Sequence, residues 1–246
     1  MLTKPFHQRG LGLVELMVGI TVGLIVAAGA SMVAVNQINE HRRLMLETQI
    51  QQDLRVAADL LQQDLRRAGY RGQTEQGVWA PPTGVGTLDE TAGLPATANN
   101  YSPVEVTDNS TERSITYRYA RRVGVTVGAA SPRNAEQFGF KWDKATHVLY
   151  ARVGIVNGRD NWQPVIDPDI VEVTNFDVEL TEQSTDVGEF CAQACGAAPL
   201  PACPKHVVRQ VSFSIEGKAL HDRNVKRTVS GVERLRSDRI TGSCPA

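Results

Sequence analysis

The fold of this chain is decided by the stretch QRGLGLVELM at residues 8–17, which heads an apolar run that ends at Val35. Residues 11–35 contain a single charged side chain, that of Glu15. As an α-helix this run is about 37 Å long, which is enough to cross the hydrocarbon core of a bilayer, about 30 Å thick. A carboxylate within a membrane span is energetically costly, so Glu15 is a candidate for a specific function.

The residues around this acid define the segment further. Lys4 and Arg9 precede the apolar run, and Gly19 and Gly23 within it form a GxxxG pattern. Small residues at this spacing allow two helices to approach closely in lipid. The pattern therefore predicts a membrane helix that packs against other helices through Gly19 and Gly23.

This arrangement resembles the class III signal of type IV pilins and pseudopilins. In that family a short basic leader ends in Gly, the chain is cut after this Gly, and a Glu is the fifth residue of the mature protein. The corresponding features here are Gly10, a cut between Gly10 and Leu11, and Glu15. Leu11 replaces the usual Phe, and Gly12 replaces the common Thr. The resemblance implies that prepilin peptidase cleaves after Gly10 and N-methylates Leu11.

The same resemblance suggests a physical role for Glu15. In a helical filament, each mature N-terminal amine lies in an apolar environment beside neighbouring subunits. A carboxylate on an adjacent subunit would neutralise the amine, and both ions would otherwise be strongly penalised. We therefore expect Glu15 to form a charge pair in the filament core.

A conventional secretory signal is the competing interpretation, with Ala28-Gly29-Ala30 as its cleavage site. The hydrophobic part of such a signal is usually about 7–15 residues long and lacks an acid. The helical pattern also continues through the supposed cut. Both observations favour the pilin-like interpretation.

An amphipathic helix is predicted beyond the apolar run. Apolar residues recur every three or four positions between residues 46 and 68, while polar residues such as Asp64 occupy the other face. The members of this apolar stripe are Leu46, Ile50, Leu54, Ala57, Leu61, Leu65 and Ala68. No proline interrupts residues 6–80, so we expect one helix over residues 11–68, capped by Gly69 and packed on the following domain.

The helix end carries a second family resemblance. Arg67-Ala68-Gly69-Tyr70, followed by Gly72, resembles the turn of PilW-type minor pilins and, more loosely, that of the J-type pseudopilins of type II secretion. These two classes are therefore the first two functional alternatives. A pilus-tip protein that binds a surface or ligand through its loops is the third.

The rest of the chain favours an antiparallel β-sheet, because short alternating segments follow one another without a helical period. Candidate strands occupy residues 114–120, 123–127, 147–153, 170–180, 207–215 and 225–235. The expected fold class is α+β, with a long N-terminal helix packed on an antiparallel sheet, as the pilin resemblance also implies. The expected divisions are a leader at 1–10, a transmembrane or filament-core segment at 11–35, its amphipathic continuation at 36–69, and a β-rich domain at 70–246.

All four cysteines lie in the β-rich domain, at Cys191, Cys195, Cys203 and Cys244. An even number in an oxidising compartment indicates two disulfides, for which three pairings exist. A zinc site is the alternative, since His206 follows Cys203 at a plausible ligand spacing. The intervening Gly-, Ala- and Pro-rich segment favours disulfides.

Composition and motifs limit the functions that remain. The formal net charge is −1 and no basic cluster is present, which argues against nucleic-acid binding. None of the common catalytic motifs occurs, so we expect neither enzyme activity nor a cofactor. Asp160, Asp167 and Asp169 lack the spacing of an EF-hand, and solvated loop acids are their simpler interpretation.

The resemblance implies a minor pilin of a type IV pilus. Such a protein is cut by prepilin peptidase and joins other minor pilins in a complex that initiates or caps the pilus. Its expected partners are other minor pilins, the major pilin and the inner-membrane assembly machinery. Its expected location is the inner membrane with a periplasmic domain, and then the pilus.

Overall fold

The structure is a computed structural model that describes residues 12–72, 99–121, 132–190, 195 and 203–241. Within these residues the chain forms one long helix and nine strands. The chain divides into two compact units, of which the first ends at Leu46 and the second begins at Glu47.

A single helix, α1 (Leu13–Arg67), is 55 residues long, as the unbroken periodicity predicts. Glu15 lies in its first turn and Arg66 and Arg67 lie in its last turn, so both ends carry charges that favour the helix dipole. Gly69 then adopts a φ of 82°, a conformation that glycine enters without steric cost and that commonly ends helices.

The first sheet contains five antiparallel strands in sequence order. They are β1 (Glu105–Asp108), β2 (Glu112–Arg118), β3 (Gln137–Asp143), β4 (Val148–Val156) and β5 (Arg159–Pro164). Ile115 of β2 lies opposite Phe140 of β3, and Phe140 lies opposite Ala151 of β4. This register places apolar side chains of all three central strands on one face.

The second sheet contains β6 (Val171–Asp186), β7 (Lys205–Ala219) and β8 (Lys226–Arg234), in that order, with β9 (Arg239–Thr241) also paired to β7. The antiparallel pairing of β6 with β7 runs from Val171 opposite Ala219 to Asp186 opposite Lys205. The two strands form a long antiparallel ribbon, the β6–β7 ribbon, to which β8 and β9 are added along β7. Its end at Asp186 and Lys205 adjoins Cys203 in the chain.

The second half of α1 and both sheets share one apolar core. The stripe is buried as predicted, apart from half-buried Leu46, and Ala58 is buried beside it. Leu54 lies so close to the second sheet that a Cβ on Gly217 would be 3.2 Å from one of its methyl groups. The helix therefore packs on β7 at a position where the strand has no side chain.

The predicted α+β class is confirmed, with one difference in the sheet. We expected one antiparallel sheet, whereas the described strands form two. Strands β1, β3, β5 and β9 were also missing from the prediction. In β3, the alternation of Phe138, Phe140 and Trp142 around Gly139 is a strand pattern, and all three aromatic side chains are buried. The predicted strand at 123–127 lies outside the described residues.

Candidate functional site

The first half of α1 exposes its apolar side chains on every side. All residues from 12 to 45 are exposed, including large apolar side chains such as Ile25 (71%) and Met32 (72%). Water around so much apolar surface is unfavourable, at about 25 cal/mol for each Å². By length and composition α1 can cross a membrane.

Polar side chains within this apolar segment are satisfied locally. The Thr21 hydroxyl donates a hydrogen bond to the Val18 carbonyl at 2.9 Å, and the Ser31 hydroxyl donates one to the Ala27 carbonyl at 2.8 Å. In an apolar medium an unsatisfied hydroxyl is costly, and bonding to the preceding turn removes that cost. The segment is therefore compatible with lipid or with the apolar interior of an assembly.

The predicted helix-packing residues lie on an open surface. A Cβ added to Gly19 or to Gly23 would meet no atom within 4 Å, so both positions are accessible to a neighbouring helix. Glu15 is exposed in the first turn, where its backbone N–H donates to the Gly12 carbonyl at 3.0 Å. Gly10 and Leu11 lie outside the described residues, so cleavage and methylation stay predictions, as does the charge pairing of Glu15.

Asp64 forms a polar contact between the helix and the first sheet. The Tyr117 and Tyr119 hydroxyls donate hydrogen bonds to its two carboxylate oxygens, at 3.2 and 3.1 Å. Burial raises the pKa of Asp64, although the two tyrosine hydrogen bonds and the nearby Arg67 oppose this. Asp64 was expected on the polar face opposite the stripe, whereas the structure places it half-buried beside the stripe and facing the sheet.

The turn after α1 is enclosed by residues that are distant in sequence. The Asn99 side chain donates a hydrogen bond to the Gly69 carbonyl at 2.8 Å, and a Cβ on Gly69 would lie 2.4 Å from Cβ of Ser237. The buried Arg209 guanidinium donates to the carbonyls of Ser102 and Ser237. Glycine is thus required at position 69 for its conformation and for the space that it leaves.

A buried acid, Glu136, joins three segments of the first sheet region. It accepts hydrogen bonds from the Tyr101 hydroxyl at 2.8 Å and from the backbone N–H groups of Arg133 and Arg121 at 2.9 and 3.2 Å. Burial alone would raise the pKa of Glu136, but these bonds lower it below its usual value. The sequence contains no local signal for this contact.

One predicted disulfide is present in the described residues, between Cys195 and Cys203, with 5.8 Å between their Cα atoms. It lies at the end of the β6–β7 ribbon, where the Val187 N–H donates to the Pro204 carbonyl at 3.0 Å. Both sulfur atoms are part of the disulfide, so neither can bind zinc as a thiolate. Cys191 and Cys244 lie outside the described residues.

The other candidate ligands are occupied in ion pairs and turns. His206 lies 3.0 Å from an Asp238 carboxylate oxygen, and Asp160 pairs with Arg152 at 3.2 Å. The Asp167 carboxylate accepts a hydrogen bond from the Asp169 N–H, which is a turn contact. In the part of the chain that the structure describes, no three His, Cys, Asp or Glu residues form a group suited to a metal ion.

Two protein-family models match the chain, one over the N-terminal segment and the other over most of the remaining residues. Residues 43–235, more than half of the chain, match the family described as prepilin peptidase-dependent protein B. Residues 5–31 match the prokaryotic N-terminal methylation motif, which covers the predicted cleavage position and Glu15. No protein with a curated function and no solved structure matches the chain.

Proposed function

Because this chain belongs to the prepilin peptidase-dependent protein B family and is a pilin-like protein, we propose that it is a minor pilin of a type IV pilus. In this proposal it joins other minor pilins in a complex that initiates or caps the pilus. Its role is that of a structural subunit and not that of an enzyme.

One observation carries the proposal: an N-terminal methylation motif leads directly into a helix segment that is apolar and exposed on every side. A membrane anchor alone would need the apolar residues, whereas a carboxylate within the span would add a desolvation cost to it. An assembly of many such helices uses both. The apolar surface is then covered by neighbours, and Glu15 neutralises an adjacent N-terminal amine.

The proposal assigns specific roles along the N-terminal segment. Prepilin peptidase cleaves between Gly10 and Leu11 and methylates the new N-terminus. Glu15 pairs with the amine of a neighbouring subunit, and Gly19 and Gly23 allow close helix contacts. Residues 1–10 are then the cytoplasmic leader, 11–35 the membrane or filament-core segment, 36–69 its amphipathic continuation, and 70–246 the periplasmic domain.

The same proposal covers partners and location. The two sheets and their loops select the neighbouring minor pilins and the major pilin, and the inner-membrane assembly machinery moves the subunit from the membrane into the pilus. The oxidising periplasm is consistent with the disulfide between Cys195 and Cys203. In this account Cys191 and Cys244 form the second pair.

N-terminal sequencing and intact mass measurement of the mature protein test the processing step. The expected result is a chain that begins at Leu11 and carries one additional methyl group. Replacement of Gly10 should leave an uncleaved precursor in the membrane. A mature chain that begins near Ser31 would instead support a conventional secretory signal and contradict the proposal.

Glu15→Ala tests the assembly step separately from insertion. We expect the variant to reach the membrane in normal amount but to be depleted from sheared pili, because the neighbouring amine would be buried without a counter-charge. Glu40→Ala removes an exposed acid farther along the same helix and should leave assembly unchanged. Deletion of the gene should abolish pili, whereas loss of adhesion alone would indicate a tip-binding protein.

A further inference from the structure

The outer face of the first sheet carries an aromatic and charged cluster that the helix does not use. Lys141 alternates along β3 with the buried Phe140 and Trp142, so its side chain lies on the opposite face of the sheet. Tyr150 lies directly opposite Lys141 in the register of β3 and β4. Directly opposed residues share one face, which places both side chains away from the core.

Trp162 of the edge strand β5 lies directly opposite Arg152 on this same face. The Arg152 guanidinium carbon is 5.6 Å from the indole centroid, and the Lys141 ammonium is 4.7 Å from it. Lys141 also lies 5.8 Å from the centroid of the Tyr150 ring. Because β4 runs between β3 and β5, Trp162 and Lys141 meet above β4 and form a continuous surface with Tyr150.

The polar part of this cluster is held in place. Arg152 donates to the Phe138 carbonyl at 3.0 Å and to Asp160 at 3.2 Å, and its side chain is only 10% exposed. Lys141 lies 3.7 Å from a carboxylate oxygen of Glu112. A surface whose groups are already ordered loses less conformational freedom when a ligand binds.

Hydrogen-bonding groups remain available on this surface. Among the described residues, neither the Trp162 indole N–H nor the Tyr150 hydroxyl has a hydrogen-bond partner, and neither atom is buried. The Lys141 ammonium has further donors beyond its contact with Glu112, and the Asp160 carboxylate, 41% exposed, has further acceptor capacity. The cluster thus combines ring surfaces with both donors and acceptors.

We propose that this cluster, formed by Lys141, Tyr150, Arg152 and Trp162 with the acids Glu112 and Asp160, binds a neutral saccharide. A sugar ring has an apolar C–H face, which stacks on an indole, and a rim of hydroxyls that both donate and accept hydrogen bonds. The cluster offers the matching surfaces for both parts. This inference concerns ligand binding and is independent of pilus assembly.

Charge balance favours a neutral ligand over the other classes. The two cations of the cluster are matched by two carboxylates, so its formal charge is zero and it offers no net attraction to a polyanion. An apolar peptide would bury these charged groups without new hydrogen bonds, which is costly. A saccharide hydroxyl can bond to either sign of charge.

Binding to an array of immobilised neutral and acidic glycans tests the proposal. The full chain is applied in micelles of a detergent without a sugar headgroup, and the glycan that is captured is then titrated in solution by calorimetry. We expect capture by at least one neutral glycan, and Trp162→Ala should weaken its binding by about tenfold or more, equivalent to about 1.4 kcal/mol. Trp162→Phe, which retains a ring, should lose less.

Matched variants separate the cluster from general surface charge. Lys141→Ala should weaken binding, whereas Lys226→Ala on the exposed edge of β8 should not. The far-ultraviolet circular dichroism of each variant checks that its helix and strands are retained. Capture of no neutral glycan, capture of acidic glycans alone, or equal affinity of wild type and Trp162→Ala would each overturn the proposal. Normal piliation of Trp162→Ala is expected in every case.

Discussion

Replacement of Glu136 with glutamine should destabilise the globular unit, because the three hydrogen bonds to this carboxylate cannot all persist. One carboxylate oxygen accepts from the Tyr101 hydroxyl and the Arg133 N–H, and the other accepts from the Arg121 N–H. Glutamine has one carbonyl oxygen and one NH2 group. If the oxygen keeps Tyr101 and Arg133, the NH2 group faces the N–H of Arg121, and two donors oppose each other.

The magnitude follows from the bond that is lost and from burial. Glu136 is 3% exposed, and a buried donor left without an acceptor costs about 1–3 kcal/mol. For a unit of this size, a loss of about 2 kcal/mol lowers the melting temperature by about 4–8 °C. The remaining bonds also weaken, because a neutral amide is a poorer acceptor than a carboxylate.

The destabilisation by Glu136→Gln should depend on pH and should decrease as the pH falls. The hydrogen bonds hold the pKa of Glu136 below its usual value in the folded protein, so the folded state binds fewer protons than the unfolded state between the two pKa values. The stabilisation by Glu136 is therefore fully present above the unfolded pKa, about 4.3, and is lost as the pH falls through the folded pKa. The difference between wild type and Glu136→Gln should shrink in that range.

Thermal and denaturant unfolding of the full chain in detergent micelles measure both effects, with the near-ultraviolet signal of Trp142 as the probe. Trp142 is buried and its indole N–H donates to the Val173 carbonyl at 3.0 Å, so its signal reports on the packed core. Glu105→Gln on exposed β1 is the control and should change stability little. Equal stability of Glu136→Gln and wild type at pH 7 would refute the reasoning.

Three further predictions concern the same unit. Burial raises the pKa of Asp64 in the folded protein, so the free energy of unfolding should fall as the pH rises from the unfolded pKa of this group through its folded pKa. Asp64→Asn should remove this fall in stability, which unfolding at pH 4 and pH 7 measures. Gly231→Ala should cost about 1–3 kcal/mol in denaturant unfolding, because its Cβ would lie 2.6 Å from the Phe213 ring, whereas exposed Ser230→Ala should cost little. Replacement of both Cys195 and Cys203 with serine should cost about 2–3 kcal/mol, since their disulfide closes a short loop in the unfolded chain; an unchanged melting temperature would contradict this estimate.

The long helix was predictable because its signal is local and repeated. The 3- and 4-residue spacing continues without proline, and the structure ends the helix at Arg67, one residue before the predicted end at residue 68. Strands with clean alternation, such as the segment containing Ile115 and Tyr117, were found for the same reason. Strand β3 was missed, although its aromatic residues alternate around Gly139.

The division into two sheets and the contacts of Asp64 were not predictable in this way. Alternation indicates which side chains of a strand share a face, but it does not choose the neighbouring strand. Asp64 lies among polar residues in the sequence, and aspartate is rarely buried. Its half-buried position depends on contacts with Tyr117 and Tyr119, which are 53 and 55 residues away, so only the folded structure reveals it.

The two halves of α1 differ in how their apolar residues are arranged around the helix. This arrangement determines which surroundings can bury the apolar surface of each half. The stripe from Ile50 to Leu65 is narrow, and the sheets of the same chain cover it. The segment before Val35 is apolar all around its circumference, and an all-round apolar helix needs an apolar environment on every side. In the proposed minor pilin, lipid supplies this environment before assembly and a ring of similar helices supplies it afterwards. Only the second environment brings a neighbouring N-terminal amine within reach of Glu15, which is why Glu15→Ala should affect incorporation into the pilus and leave membrane insertion unchanged.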